Sequence, residues 1–284
     1  MSALSAPHFH NEEAAYAYVE ARVWPNGPTC PKCGGVERIG LMGGKSTRIG
    51  LYKCYQCRSP FTVKIGTILE SSHVPLRLWL QAIYLIASSK KGFSSNQLHR
   101  TLGVTLKTAW FMSHRIREAM RSGDLSPFGA DGGMVEADET YIGREPNMPI
   151  MRGGAVHKMK VLSLIDRNTG RARSVVMTDE ATYYRRVGAT LAAHSRVNHG
   201  KHEYVAKFDP RIHTNTVEGF FSIFKRGMKG VYQHCEKKHL HRYLAEFDFR
   251  YSERQANGVN DAARADKLLA GVVGKRLTYE TAGA

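Results

Sequence analysis

The chain has 284 residues, an apolar fraction of 42% and a formal net charge of +16. Its length and composition exclude a wholly disordered chain and leave room for more than one domain. The excess of cations favours a polyanionic partner, with nucleic acid ahead of an anionic membrane surface. The longest apolar run, residues 78–87, is too short to cross a bilayer, and no signal peptide is readable. We therefore expect a cytoplasmic, nucleoid-associated protein that does not bind membranes.

The amino-terminal region combines a helix with a candidate metal site. Asn11 can cap a helix that runs to about Arg22. Two Cys-x-x-Cys pairs follow, and their members are Cys30, Cys33, Cys54 and Cys57. Each pair can aim two sulfurs at one tetrahedral ion, so the pattern predicts a structural Zn²⁺ site. Two disulfides are the alternative, which a reducing cytoplasm disfavours.

The residues around these cysteines predict a small β-rich module that is held by its metal. Residues 38–54 indicate two short strands around Gly43 and Gly44, and residues 60–69 continue with a β-like pattern. The module also carries four cations, which are Lys45, Arg48, Lys53 and Arg58. It is either a folding element alone or a DNA contact surface as well, and the charges do not decide between the two.

Three helices are predicted next, over residues 75–92, 94–103 and 104–123. A short second helix, a turn at Gly103 and a longer third helix predict a helix-turn-helix unit, with an ordinary three-helix packing unit as the alternative. On the third helix we expect the core to take Leu106, Ala109, Met112 and Ile116. The opposite, DNA-facing side would then present Lys107, Thr108, Phe111, His114 and Arg115.

A linker at residues 122–133 leads into a region of strands and helices that carries the candidate catalytic acids. Strands are predicted over 133–143 and in a hairpin over 157–180, followed by a helix, a short strand near 202–208 and two further helices. Asp138 lies in a strand, Asp179 at a strand end and Glu218 on a helix. Carboxylates gathered from separate elements suit Mg²⁺, and two such ions about 4 Å apart can drive an in-line phosphoryl displacement.

Other acidic residues lie close to these three in the sequence. Glu136 shares a strand face with Asp138 by period two, whereas Glu139 and Glu180 adjoin their aspartates and should point the other way. Asp166 belongs to a hairpin turn, where local hydrogen bonding explains an aspartate.

The helix that carries Glu218 has two stripes. The apolar stripe consists of Val217, Phe220, Phe221, Phe224 and Met228, and the polar stripe of Asn215, Glu218, Ser222, Lys225 and Lys229. Lys225 lies roughly 10 Å along the axis from Glu218, too far for an ion pair. Lys225 could therefore contact a phosphate, with Arg226 and Lys229 adding charge, while Glu218 holds a metal. A merely solvated polar face is the alternative.

Six motifs together resemble a known family. They are "CPKC…CYQC", "SSNQLHRTLGVTLKTAWFMSHRIREAM", "VEADETYIG", "TDEATYY", "HTNTVEGFFSIFKRG" and "HLHRYLAEFDFRYSER". From about Pro7 to Arg276 the chain looks like the bacterial insertion-sequence transposases that join an amino-terminal zinc ribbon to a DDE core. The resemblance implies that Asp138, Asp179 and Glu218 bind catalytic Mg²⁺ or Mn²⁺. Lys225 would match the basic residue two turns beyond the glutamate, and Asn215 an asparagine sometimes counted in place of that glutamate.

The resemblance also implies a multidomain α+β fold. Its expected parts are a helix plus β-rich zinc ribbon (1–70), a helix-turn-helix region (71–125), a ribonuclease H-like α/β core (126–255) and a tail (256–284). The implied reaction is metal-dependent cleavage of double-stranded DNA at the element's inverted repeats, followed by attack of the freed 3′-hydroxyl on target DNA. The implied assembly is a homo-oligomer in a synaptic complex.

One departure from the family pattern lies after Val176. Asp138 and Asp179 are only 41 positions apart, and roughly twenty more residues, a strand-plus-helix unit, are expected between them. Such a loss would shift Asp179 and impair catalysis. Alternative functions are therefore an inactive DNA-binding remnant or regulator, and a nuclease that cleaves without joining ends.

Overall fold

The computed structural model describes residues 3–123, 126, 128–129, 133–145, 148–149, 157–177, 205–206 and 209–277. The helices are α1 (Glu12–Val23), α2 (Leu76–Ser88), α3 (Ser95–Leu102), α4 (Leu106–Met120), α5 (Asn215–Gly227), α6 (Lys237–Ser252) and α7 (Asp261–Ala270). The strands are β1 (Ile39–Leu41), β2 (Tyr52–Cys54), β3 (Pro60–Phe61), β4 (Val135–Ile142), β5 (Met159–Asp166), β6 (Ala172–Val176), β7 (Val205–Ala206) and β8 (Asp209–His213).

The chain divides into two compact units. The first unit contains residues 1–89, 93–121 and 259–284, and the second contains residues 90–92 and 122–258. Both units contain helices and strands, so the protein is mixed α and β, as predicted. No helix in the described ranges is long and apolar enough to cross a membrane.

In the first unit the helix starts follow the capping residues that the sequence indicates. The side chain of Asn11 accepts the backbone N–H of Ala14, and Thr105 accepts that of Thr108. Ser94 and Gln97 form a reciprocal capping box, and Gly103 ends α3 with a φ of +67°. These caps confirm the predicted starts of α1, α3 and α4 and the predicted end of α3. The sequence can predict them because each depends on side chains within a few residues of the helix end.

The carboxyl-terminal part of the first unit, for which the sequence predicts only a tail, contains α7. Leu268 and Leu269 of this helix are buried, and α7 packs against α1 and α2. Asp266 accepts hydrogen bonds from Tyr18 and from the Arg22 guanidinium, at 2.5 to 3.0 Å. The helix is short and buries four residues, which are too few to show a clear helical period in the sequence.

The zinc-ribbon region forms an antiparallel sheet in the order β1-β2-β3, which confirms the predicted hairpin. The β-like continuation expected to residue 69 is wrong. After β3 the chain makes successive turns, and Thr67 forms an isolated bridge to Val273. The apolar residues there, such as Ile68 and Leu69, are buried by turns rather than by a strand.

The second unit is built on an antiparallel sheet in the order β4-β5-β6. Asp138, Ser163 and Ser174 are register partners across it, so they lie on one face. Helices α5 and α6 share a core with this face. The predicted apolar stripe of α5 is confirmed, because Val217, Phe220, Phe221, Phe224 and Met228 are all buried. The helix predicted over residues 181–195 lies outside the described residues.

Helix α6 closes the outer edge of β6. The Asp248 carboxylate accepts the backbone N–H and the hydroxyl of Ser174, each at 2.7 Å, and the Ser252 hydroxyl accepts the Ala172 N–H at 3.0 Å. These two backbone donors point away from β5 and would otherwise offer an edge to another strand. Enclosure of the carboxyl group raises the pKa of Asp248 to about 7, against the opposing effect of its Ser174 hydrogen bonds.

This raised pKa predicts that the second unit loses stability as the pH rises. Asp248 favours the folded state when protonated, so its contribution is full below pH ~4 and is lost by pH ~7, at up to about 1.4 kcal/mol per pH unit. We expect Asp248→Asn to remove this dependence. Hydrogen exchange in peptides from β6 and α6, compared between pH 5 and 8, measures it.

The matched control is Asp209→Asn in the same unit. Hydrogen bonding to Arg211 lowers the pKa of Asp209 to about 2, so this carboxylate stays charged from pH 5 to 8. An Asp248→Asn variant whose exchange keeps the wild-type pH dependence, after correction for intrinsic rates, would contradict the assignment.

Candidate functional site

Four thiols converge in the first unit as the sequence predicts. The Sγ atoms of Cys30 and Cys57 are 3.6 Å apart, as are those of Cys33 and Cys54, and all four lie within 4.8 Å of one another. A tetrahedron with Zn–S bonds of ~2.3 Å has sulfur–sulfur edges of about 3.8 Å, so the spacing fits Zn²⁺. All four cysteines are free thiols, so the disulfide alternative is not adopted.

Local backbone geometry produces this convergence. Gly34 and Arg58, which each follow the second cysteine of a pair, have φ values of +72° and +60°. The Gly34 N–H donates to the Cys30 carbonyl at 2.9 Å, which closes the first loop. Cys30 and Cys54 are buried together with Phe61, against which Trp24 packs edge-on. The ribbon therefore has a small apolar core on one side of its sulfurs.

The basic residues of the ribbon face solvent. Lys45, Arg48 and Arg58 are exposed, and Lys53 is half-buried with its ammonium 5.6 Å from the centre of the Tyr55 ring. This arrangement leaves both predicted roles of the ribbon open, as folding element and as DNA contact surface.

Helix α4 corrects two of the expected DNA contacts. His114 and Arg115 are buried, with exposures of 1% and 5%. The Arg115 Nη1 donates to the carbonyls of Ile68 and Glu70, each at 2.7 Å. Arg115 therefore satisfies backbone carbonyls of the turns that follow β3, and it cannot reach a DNA groove from there.

The opposite error concerns Leu106, which was expected in the core but is 46% exposed. Lys107 is exposed and Thr108 half-buried beside it at the start of α4. Phe111, also predicted on the DNA-facing side, is half-buried under the Arg115 guanidinium. Lys107, Thr108 and Phe111 are thus the members of this set that keep some exposure.

The candidate catalytic acids come from two adjacent elements of the second unit. Asp138 is partly exposed on β4, and its Oδ1 accepts the backbone N–H of Glu139 at 2.8 Å. Glu218 is partly exposed in the first turn of α5, and its Oε1 accepts the Thr214 hydroxyl at 2.9 Å. Asp179, the third predicted acid, lies outside the described residues. In the part of the chain that is described, the four cysteines are the only group of three or more candidate metal ligands.

Glu136 links the two elements that carry these acids. Its Oε2 accepts the backbone N–H of Val217 at 2.9 Å, and its Oε1 accepts the Thr216 hydroxyl at 2.7 Å. The residue is 5% exposed. Strand β4 is thereby bonded to the amino terminus of α5, two positions from Asp138 and one from Glu218. The sequence placed Glu136 on the correct face, but nothing in its spacing indicated this role.

An open cavity of about 680 Å³ adjoins α5 in the second unit. Its lining includes Lys225 and Lys229 from the predicted polar stripe, and also Lys158, for which the sequence pattern indicates no role. Arg226, another predicted DNA contact, instead folds back and donates to the Ser222 carbonyl and hydroxyl. Asn215 is exposed at the first residue of α5.

Two family models and one curated relative match the chain. A model of the transposase zinc-ribbon domain matches residues 10–59, and a model of the ISXO2-like transposase domain matches residues 169–252. The second match includes Asp179, Glu218 and Lys225 and begins after Asp138. An uncharacterized protein in transposable element ISH50 of Halobacterium salinarum is 29% identical over 266 residues, covering 80% of this chain and 86% of the relative. No solved structure matches the chain. These matches support an insertion-sequence transposase with a zinc-ribbon domain and an ISXO2-like transposase domain.

Proposed function

We propose that the chain binds the terminal inverted repeats of its insertion sequence and catalyses metal-dependent DNA cleavage and strand transfer. In this proposal the second unit is a ribonuclease H-like core, and the first unit recognises the element ends. The alternative is a DNA-binding remnant or regulator without catalysis. The +16 charge supports DNA binding in either case.

The hydrogen bonding of Glu136 to the start of α5 is the observation that carries the catalytic proposal. This contact bonds β4, which carries Asp138, to the start of α5, which carries Glu218. Carboxylates from a strand and a helix are the donor set that a hard divalent cation accepts. Asp179 would supply the third carboxylate.

When bound, Mg²⁺ or Mn²⁺ would activate the attacking oxygen and stabilise the leaving one in an in-line displacement. The chain's own contribution would be to hold Asp138 and Glu218 in a fixed geometry. Lys225, two turns beyond Glu218, would contact a phosphate on the same helix face. Asn215 is a further candidate at the exposed start of α5.

The helices of the first unit support a helix-turn-helix reading. A short α3, a left-handed Gly103 and a longer α4 follow the order of that motif. In such motifs the amino-terminal residues of the second helix reach base edges, and Lys107 and Thr108 occupy that position on α4. The later residues of α4 are buried, which agrees with a helix whose first turns alone would enter a DNA groove.

The hairpin strand predicted to end at Asp179 is described as β6 up to Val176, where it pairs with β5. The outer edge of β6 is closed by Asp248 and Ser252 of α6. Alternation of the ladder turns the Glu139 N–H away from β5, and the Asp138 side chain accepts it. The Met177 N–H donates to the Lys160 carbonyl of β5 at 2.9 Å, so the β5 ladder continues to two residues before Asp179. We infer that the short segment after Val176 restricts the positions that Asp179 can take relative to Asp138.

Restoring the segment tests that inference. A version with a strand-plus-helix unit of about twenty residues inserted after Val176 should cleave DNA faster than the natural chain. Equal turnover of the two proteins would eliminate the idea of an impaired site.

The lysines around the cavity predict a measurable change in DNA binding. If Lys158 and Lys225 each neutralise one phosphate, replacing either by Ala should lower the slope of log K against log[salt] by about 0.9. Lys160→Ala is the matched control, because Lys160 lies outside the cavity and pairs with Glu139 at 2.6 Å. Equal slopes for all three variants would contradict a DNA path through the cavity.

The proposal as a whole is tested first by end binding. A labelled duplex that carries the inverted repeats flanking the gene should compete for the full chain at least about ten times better than a scrambled duplex at 150 mM salt. Equal competition by both duplexes would contradict recognition of element ends.

A further inference from the structure

We propose that Glu136 is a positioning residue that sets the distance between Asp138 and Glu218. The inference rests on the proposed catalytic function, and it adds a residue that neither the DDE pattern nor the family matches assign. Glu136 would act through the backbone of α5 rather than through contact with metal or DNA.

The carboxylate of Glu136 provides hydrogen-bond acceptors for the first turn of α5. A helix leaves its first backbone N–H groups without intrahelical partners and carries partial positive charge there. The carboxylate of Glu136 accepts the Val217 N–H at 2.9 Å and the Thr216 hydroxyl at 2.7 Å. Thr214, which precedes the helix, makes no capping hydrogen bond of its own. Glu136 therefore acts as the cap of α5 from a strand about 80 residues earlier in the chain.

The other side of Glu136 meets two basic side chains. Arg167 Nε and His213 Nδ1 each lie 3.3 Å from Glu136 Oε1. Arg167 Nη2 lies 2.7 Å from His213 Nε2. Since a guanidinium can only donate, His213 Nε2 must accept, which leaves the ring proton on Nδ1. Within the described residues this buried Nδ1 makes no hydrogen bond, although it lies near Glu136 Oε1. Arg167 Nη1 also donates to the Arg211 carbonyl at 2.5 Å. The cluster joins β4, the turn after β5, β8 and α5.

These contacts distinguish positioning from metal binding. Both carboxylate oxygens of Glu136 already accept hydrogen bonds, and the residue is 5% exposed. Asp138 and Glu218 are each partly exposed. Replacing Glu136 by a neutral side chain leaves the Arg167 guanidinium uncompensated and weakens the hydrogen bond to the start of α5. The expected consequence is a displaced α5, and misplacement of a catalytic group by about 1 Å costs on the order of 100-fold in rate.

The variants to compare are Glu136→Gln, Glu136→Ala and the double variant Glu136→Gln with Arg167→Gln. Glu139→Gln is the matched control, because Glu139 is another acid of β4 and pairs with Lys160 on the opposite face of the sheet. In the full chain we expect Glu136→Gln to keep end binding, to lower the cleavage rate roughly 10- to 100-fold and to raise the Mg²⁺ concentration for half-maximal rate. The double variant should recover part of the rate, since it removes the uncompensated guanidinium.

Hydrogen exchange supplies a readout that does not depend on activity. Peptides from the first turns of α5 should exchange at least about tenfold faster in Glu136→Ala than in Glu139→Gln, while peptides from α6 stay unchanged. Unchanged exchange in α5 would overturn the proposal even if the wild-type chain cleaves no DNA. If exchange rises but no wild-type cleavage occurs, the proposed catalytic function fails and the structural coupling by Glu136 stands. A Glu136→Gln variant with the wild-type rate and Mg²⁺ dependence would also overturn the proposal.

Discussion

Replacing Asp138 by Asn is expected to lower the rate of Mg²⁺-dependent strand cleavage by about 10³-fold or more, while binding to the element ends is retained. Asn preserves the shape of the side chain, and its Oδ1 can still accept the Glu139 N–H that Asp138 accepts at 2.8 Å. The fold of β4 should therefore persist. What is lost is the negative charge that would hold a divalent cation beside Glu218. Cleavage of labelled element-end DNA, with binding followed in parallel, measures both effects.

The control for this variant is Asp209→Asn, the same isosteric change at another position of the second unit. Asp209 pairs with Arg211 at 2.8 Å on the hairpin formed by β7 and β8, and we expect cleavage to be unaffected. If the chain is only a regulator, Asp138→Asn changes nothing that can be measured. Retention of wild-type cleavage by Asp138→Asn would contradict the assignment of that residue.

Removal of zinc is expected to unfold the ribbon and to reduce end binding. Structural Zn²⁺ in small modules contributes about 10–16 kcal/mol to folding, far more than the few buried side chains around Phe61 can replace. Cys54→Ser removes a buried thiolate whose Sγ lies 3.6 Å from that of Cys33. Metal analysis should show about one zinc per wild-type chain and much less in the variant. Peptides from β1 to β3 should lose their protection from hydrogen exchange.

Cys235→Ser is the matched control for the zinc experiment, because Cys235 lies in the second unit beside the lysine-lined cavity. It should keep the full zinc content. A Cys54→Ser variant that retains both zinc and protection would show that the four sulfurs do not form one site.

The features predicted correctly from the sequence depend on short-range patterns. The spacing of Cys30 and Cys33 places two sulfurs on one loop wherever that loop lies. Ser94 and Thr105 bond to backbone groups three residues away, so their helix starts are readable without the rest of the fold. The apolar stripe of α5 likewise follows from a period of 3.6 residues.

The features that the sequence could not supply depend on contacts between distant segments. Arg115 looks like a surface cation on α4, and its burial follows from the carbonyls of Ile68 and Glu70, more than forty positions away. Glu136 looks like a neighbour of Asp138, and its bonds to α5 cross about 80 positions. Sequence periodicity predicts the face of the helix or strand on which such a residue lies, but it does not predict the hydrogen-bond partner.

Detection of joined DNA products tests the central claim most directly. The full chain is incubated with Mg²⁺, a labelled duplex that carries the flanking inverted repeats, and a supercoiled target plasmid. The account predicts label covalently joined to the target through the 3′ end of the element, dependent on Mg²⁺ and absent with Asp138→Asn. Cleaved ends without joined products would indicate a nuclease instead. Specific end binding with neither cleavage nor joining would contradict the catalytic claim and favour a regulator.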